Sequence, residues 1–178
     1  ITIPKGVKEI EQCVFYNCVG LNGTLTLHDE ITKINHSAFY HCPFRGELVI
    51  PKDLTIIDNE AFSGACFSGA LSFPNNLVKI GDNAFERSYR LCGTLQIPES
   101  LITIGSNAFS GCTMLEGIIL PNNCDILSNG IFKDCFNIST IVCQHPYPPT
   151  IAPDTFSGVP KDNFTVEVPE SAVAQYQT

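Results

Sequence analysis

Leu95-Gln96-Ile97-Pro98-Glu99-Ser100-Leu101-Ile102-Thr103-Ile104-Gly105-Ser106-Asn107-Ala108-Phe109-Ser110-Gly111-Cys112 is the stretch on which the fold turns. It opens with two apolar residues around a polar one, closed by proline. That pattern reads as a short strand, because side chains alternate between faces and proline ends the hydrogen-bonding ladder. Leu101 and Ile104 follow, and then the small-plus-aromatic pair Ala108-Phe109. Working outward, Phe109 has counterparts at Phe15, Phe39, Phe62, Phe85, Phe132 and Phe156, separated by 24, 23, 23, 24, 23 and 24 residues. Fixed-period self-similarity of this length marks a repeat architecture.

The rest of the stretch recurs with the phenylalanine. The strand returns as Ile1-x-Ile3-Pro4, Leu25-x-Leu27, Leu48-x-Ile50-Pro51, Leu71-x-Phe73-Pro74 and Ile118-x-Leu120-Pro121, and more loosely as Ile141-x-Cys143 and Val166-x-Val168-Pro169. A third apolar site follows at Val7, Ile31, Leu54, Leu77, Leu101 and, less typically, Cys124, and an aliphatic residue stands five before each phenylalanine, from Ile10 to Ile151. Ile80, Ala84 and Phe85 would share one helical face, with Asp82 able to cap the first turn, so a helix of one to two turns is expected there. Asp58, Ser106, Ser128 and Asp154 are the matching caps. Such a unit cannot bury its apolar stripe alone, so the units must stack.

The expectation is an α/β fold: a right-handed solenoid of about seven rungs of 23–24 residues, with one short-stranded parallel sheet and short helices on the opposite side. Rungs start near residues 1, 25, 48, 71, 95, 118 and 141, in a single domain spanning 1–178. The unit length lies within the range of about 20–29 residues expected for leucine-rich repeats. Leu95-Gln96-Ile97-Pro98, Ile104-Gly105, Ala108-Phe109 and Cys112 resemble, position by position, the BspA-like leucine-rich repeats of bacterial and protozoan surface proteins. The resemblance covers nearly the whole chain. Residues 141–178 look like the irregular terminal repeat of such proteins in gut Bacteroidetes, with prolines at 146, 148 and 149 interrupting the link from strand to helix. His28 departs from the pattern where the strand proline would stand, and Ser88 where Cys112 and Cys135 stand. The resemblance implies a non-catalytic adhesion module at the cell surface or secreted, binding a protein or glycoprotein such as host extracellular matrix.

Little in the chain points to chemistry. Cys18, Cys42, Cys112 and Cys135 fall three residues after a phenylalanine and Cys66 four after, which predicts a column of small buried side chains. Inter-rung disulfides are the alternative, although nine cysteines leave at least one unpaired in a monomer. The four histidines lie in different rungs or turns without a nucleophile motif. Asp58, Glu60, Asp82, Glu86 and Asp134 read as helix caps or solubilising charges, and no loop spaces carboxylates for calcium. No catalytic set, metal site or cofactor motif is therefore expected. The residues between the two inward strand positions face outward: Thr2, Thr26, Val49, Ser72, Gln96, Ile119 and Val142. None is charged. That stripe is the candidate partner-binding surface, although β-propensity alone selects the same residue types.

Charge narrows the partners. Ten Lys and Arg against 18 Asp and Glu give a net charge of -8, which disfavours nucleic acid. No apolar run approaches the roughly 20 residues of a membrane span. The chain opens inside the strand pattern at Ile1 and shows no signal peptide, so a targeting segment is expected upstream.

Overall fold

The structure is a computed structural model that describes residues 1–162 and 164–177. Its described residues form a parallel β-solenoid of about seven turns, with eleven short strands: β1 Glu9–Ile10, β2 Lys33–Ile34, β3 Ile56–Ile57, β4 Lys79–Ile80, β5 Cys92–Gln96, β6 Thr103–Ile104, β7 Met114–Leu120, β8 Ile126–Leu127, β9 Thr140–Cys143, β10 Thr150–Ile151 and β11 Thr165–Glu167. All pairings are parallel. The single sheet expected from the sequence is replaced by two columns on different sides of each rung. The first column holds the Leu-x-Ile segments, including β5, β7, β9 and β11. The second holds the residues five and six before each phenylalanine, where the order is β1-β2-β3-β4-β6, with β8 and β10 as a separate pair.

The expected short helices give way to consecutive tight turns around each phenylalanine. The residues two before and two after the ring adopt left-handed backbone at Cys13, Asn17, Ser37, His41, Glu60, Asn83, Arg87, Asn107 and Asp134, with φ between 51° and 58°. This geometry aims alternate N–H groups along the solenoid axis instead of back into a helix. Ser37, Phe39 and His41 donate to the carbonyls of Asn59, Ala61 and Ser63 at 2.8–2.9 Å, and other rungs repeat the triplet. Each non-glycine left-handed residue costs on the order of 1–2 kcal/mol, at most about 2–4 kcal/mol per rung where neither position is glycine. Three axial bonds at about 1 kcal/mol each, with a buried and stacked ring worth about 2–4 kcal/mol, outweigh that cost. The helical spacing of Ile80, Ala84 and Phe85 is met by the turns equally well. Among the described residues, helix appears only in a 3₁₀ turn at Glu170–Ala172 and in α1, Val173–Tyr176.

With no helix to cap, Asp82 and Ser128 bond between rungs instead, as Asn59 does. Asp82 Oδ1 accepts the N–H of Ser106, Asn59 Oδ1 accepts that of Asp82, and the Ser128 hydroxyl donates to the Ile104 carbonyl. This explains the glycine of the Ile-Gly signature. A Cβ on Gly105 would collide with the backbone N and Oδ1 of Asp82, and one on Gly81 with the same atoms of Asn59.

One column of rings runs through the core. Neighbouring phenylalanines from Phe15 to Phe109 stack 5.3–5.4 Å apart, and the last two steps, to Phe132 and Phe156, widen to 5.9 and 5.7 Å. The hydrogen-bonded side of the solenoid changes along the same course. In rungs one to five the second column is laddered, while no backbone hydrogen bond joins Leu25–Leu27, Leu48–Ile50, Leu71–Phe73 and Leu95–Ile97. From rung five onward the first column closes as β5-β7-β9-β11, and the second breaks between β6 and β8. The packing gives a reason. Phe44 and Phe67 sit behind the first column, stacked 5.9 Å apart, and Phe73 lies edge-on to Phe85 and Phe109. Laddered strands need about 4.8 Å, which these rings hold open. Leu115 and Ile138 in the later rungs do not. Replacing Gly105 with Ala should cost about 1–3 kcal/mol by overpacking, whereas Gly20→Ala, with nothing within 4 Å of the new Cβ, should be close to neutral; urea unfolding midpoints compare the two.

Candidate protein-interaction face

The stripe read from the sequence lies along the outer face of the first column. Thr2, Thr26, Val49, Ser72 and Gln96 are exposed, and Ile119 and Val142 are half-buried. Thr2 bridges Thr26, and Gln96, Ile119 and Val142 share one register. That register continues to Glu167 on β11, the middle residue of the Val166-x-Val168 segment, so the column ends in a carboxylate although the stripe read from the sequence stopped at Val142. The two halves of the stripe differ physically. Where the strands are closed, from Gln96 on, the surface is a continuous sheet. Where they fan apart, Val49 is 69% exposed and a cavity of about 350 Å³ opens between rungs three and four, bounded by Leu48, Ile50, Ala70, Phe73 and Pro74 with Glu47 and Lys52 beside it.

A second exposed surface escaped the sequence reading. Ile102 and Ile126, 81% and 71% exposed, stand beside the break between β6 and β8, where a cavity of about 240 Å³ lies among Leu101, Ile104, Cys124 and Asp125. The available signal was Ile126 directly before the inward-facing Leu127, since neighbouring strand residues face opposite ways; Ile102 lies just ahead of β6 and carried no such signal.

The cysteine column is structural. Cys42, Cys112 and Cys135 are buried, and each thiol donates to the phenylalanine carbonyl of the rung before it: Phe15, Phe85 and Phe109. The Ser88 hydroxyl makes the same bond to Phe62, which explains serine in a cysteine position. Cys66 does not belong to the column. Ala65 fills that site, and Cys66 turns outward to within 3.3 Å of the Tyr89 hydroxyl. All nine cysteines are free thiols. Burial drives the Cys112 thiol well above its ordinary value and pushes Cys135 up to about 12; Cys124 rises to about 11 through burial and its neighbours Cys143 and Asp125. These groups stay protonated and therefore poorly nucleophilic at neutral pH.

The histidines stand apart from one another in role. His28 donates from Nε2 to the Pro4 carbonyl, from the position where other rungs carry the strand proline. His36 contacts the Ser37 hydroxyl, His41 stacks on Tyr40, and His145 faces Asp125 at 3.3 Å. The capping carboxylates are likewise used locally: Asp58 pairs with Lys79 at 2.6 Å, and Glu60 accepts the Ser37 hydroxyl. Among the described residues, no group of three or more His, Cys, Asp or Glu is placed to hold a metal ion, and no helix is long and apolar enough to cross a membrane.

Rungs stacked through turn-side phenylalanines, strand prolines and a Cys/Ser column match the sequence profile of the BspA type leucine rich repeat region, in six copies over residues 1–92 and 88–169. The chain belongs to the BspA-type leucine-rich repeat family. Among solved structures, this BspA-type array is similar to a T. pallidum leucine rich repeat protein at 28% identity and a TM-score of 0.69, over 79% of this chain and 67% of that one. It also aligns with a leucine-rich repeat protein from Bacteroides ovatus (19% identity, TM-score 0.47, 97% of this chain and 64% of that one). A leucine rich cell surface protein from Faecalibacterium prausnitzii aligns at 17% identity and a TM-score of 0.34, over 98% and 80%. No curated protein matches the chain.

The raised thiols set a pH dependence for the BspA-type fold. A cysteine that titrates near 9 unfolded but near 12 folded leaves the unfolded state with fewer bound protons above pH 9, so stability falls as pH rises from 9 towards 12. Urea midpoints at pH 8, 9.5 and 10.5 should decline, and Cys135→Ala should flatten the slope. In the native state at pH 8, a disulfide reagent should label exposed Cys13 rapidly and leave Cys112 and Cys135 unlabelled until denaturant is added.

Proposed function

We propose that this chain is a non-catalytic binding module of a cell-surface or secreted protein, recognising a protein or glycoprotein ligand along the first-column stripe. BspA-type repeats serve as protein-interaction or structural modules. The observation that carries the reading is the exposed run Thr2, Thr26, Val49, Ser72 and Gln96, continued by Ile119 and Val142, without a charged side chain in a protein of net charge -8. Uncharged surface of this length is poor at keeping a protein soluble and good at being covered, because desolvating it costs less than desolvating charges. β-propensity accounts for Thr, Val and Ile at such positions but not for Ser72 and Gln96.

Host extracellular-matrix proteins and mucins are the partners to try first, given the resemblance to surface adhesins. The leading test is the triple variant Val49→Glu, Gln96→Glu and Ile119→Glu. It should remain folded, since all three side chains point out of the core, and lose binding to any matrix protein the parent captures in a surface-plasmon-resonance panel. Unaltered affinity in a folded triple variant would move the binding site off this stripe.

A second reading is structural: the rungs act as a stalk that presents another domain. The unbroken ring column from Phe15 to Phe156 favours it, since a continuous packed core transmits length without a hinge. Capture of matrix ligands by this chain alone separates the two. An enzyme finds the least support. Leucine-rich repeat families are typically non-catalytic, and the buried thiols are protonated by their surroundings.

A further inference from the structure

From rung one to rung seven the second column is bonded at every interface but one. At each bonded interface the later rung donates two N–H groups from either side of its short strand. Thr32 and Asn35 give theirs to the carbonyls of Lys8 and Ile10, and Thr55 and Asp58 to those of Thr32 and Ile34. Val78 and Gly81 then donate to Thr55 and Ile57, Ile102 and Gly105 to Val78 and Ile80, and Thr150 and Ala152 to Asp125 and Leu127. Between rungs five and six the matching bonds would run from Asp125 to the Ile102 carbonyl and from Ser128 to that of Ile104. Neither is made among the described residues; the Ser128 hydroxyl alone crosses, to Ile104 at 2.9 Å. The ring step at this interface, Phe109 to Phe132, is also the widest in the column at 5.9 Å.

The parted strands leave a slot with two kinds of surface. Its mouth carries backbone groups in the spacing of a ladder: the Ile102 carbonyl on one wall, the Asp125 and Ser128 N–H groups on the other. Its lining is apolar, with Ile97, Leu101, Ile104 and Pro121 around about 240 Å³. Ile102 and Ile126 at the rim are the most exposed large aliphatics among the described residues. An occupant offering apolar groups alone would cover the mouth and leave its backbone groups unbonded, which is unfavourable. A peptide running alongside supplies both the side chain and the missing donor and acceptor. Charge selects among peptides. Residues 91–132 contain Glu99, Glu116 and Asp125 but no Lys or Arg. The Asp125 side chain is 78% exposed at the rim, where His145 approaches it at 3.3 Å. Lys79, the cation on the neighbouring β4, is already held by Asp58 at 2.6 Å.

We propose that the slot between β6 and β8 is a docking site for a short, extended, basic peptide segment of a partner protein. One branched aliphatic side chain enters the slot. The N–H of that residue donates to the Ile102 carbonyl, a carbonyl of the segment accepts the Asp125 N–H, and a neighbouring Lys or Arg faces the Asp125 carboxylate. The site lies on the second column, away from the first-column stripe, and does not rest on the binding role proposed for that stripe.

The probe is the fluorescein-labelled peptide Lys-Thr-Leu-Thr-Lys, followed by anisotropy, with amide hydrogen exchange of the whole chain read by NMR alongside. The parent should bind it, and the Asp125 and Ser128 amides should slow only in its presence. Alanine for the leucine, N-methylation of the leucine and glutamate for both lysines should each weaken binding by about tenfold or more. Ile126→Gln and Asp125→Lys change exposed side chains and should weaken the probe by as much, while Asp125→Lys gains affinity for the glutamate peptide. The stripe variant Val49→Glu, Gln96→Glu and Ile119→Glu should bind the probe as the parent does. Absence of binding up to about 1 mM overturns the proposal, as does binding that the stripe variant loses and Ile126→Gln keeps. Asp125 and Ser128 amides already protected in the free protein also overturn it, since a closed ladder or a second copy of the chain would then fill the slot.

Discussion

Every part of this solenoid depends on the axial contact between one rung's turn and the next: three backbone N–H groups aimed along the stack with a phenylalanine ring beneath them. That contact forces the left-handed residues, since no helical turn can direct alternate amides parallel to the solenoid axis. It also selects small residues around the ring. Ala38, Ala61, Ala84 and Ala108 leave room for the neighbouring rung, and the thiols of Cys42, Cys112 and Cys135 satisfy the second lone pair of the ring residue's own carbonyl in the rung before. Gly81 and Gly105 yield to the turn below for the same reason.

Once the turn side is fixed, the strand side adapts to what is packed behind it. Rings at Phe44, Phe67 and Phe73 are thicker than a strand ladder, so the first column fans open there and the second column carries the hydrogen bonds. Aliphatic residues farther along let the first column close and the second part between β6 and β8. The prospective binding stripe is consequently two surfaces in series. An open half exposes Val49 beside a cavity, and a closed half, Gln96 to Val142, ends at Glu167. A ligand that inserts a side chain between rungs and one that lies flat on a sheet would use different halves.

Chemistry is quiet in the interior for a related reason. A one-layer solenoid buries the thiols of Cys42, Cys112 and Cys135 between rungs, where lost hydration favours the neutral form, and it spreads histidines and carboxylates along the stack. Among the described residues, titratable side chains are thus distributed along the stack and answer to local partners, not to one common centre.

The 23–24-residue period was enough, from the sequence alone, to determine a stack of rungs, the phenylalanine and cysteine columns, and which residue of each Leu-x-Ile segment faces out, because burial of Phe15 to Phe156 leaves no other way to cover those side chains. Tertiary structure decided the rest. Ile80, Ala84 and Phe85 fit a helical spacing as well as a pair of turns, and only the carbonyls of a neighbouring rung settle the matter. Whether the segments around Val49 and Ile119 join a ladder depends on Phe67 or Leu115 behind them, at offsets of five and six residues that no local pattern separates. Ala65 rather than Cys66 enters the column, and Ile102 and Ile126 emerge as an apolar surface, because the register between rungs is a long-range property to which periodicity supplies the repeat and packing supplies the phase.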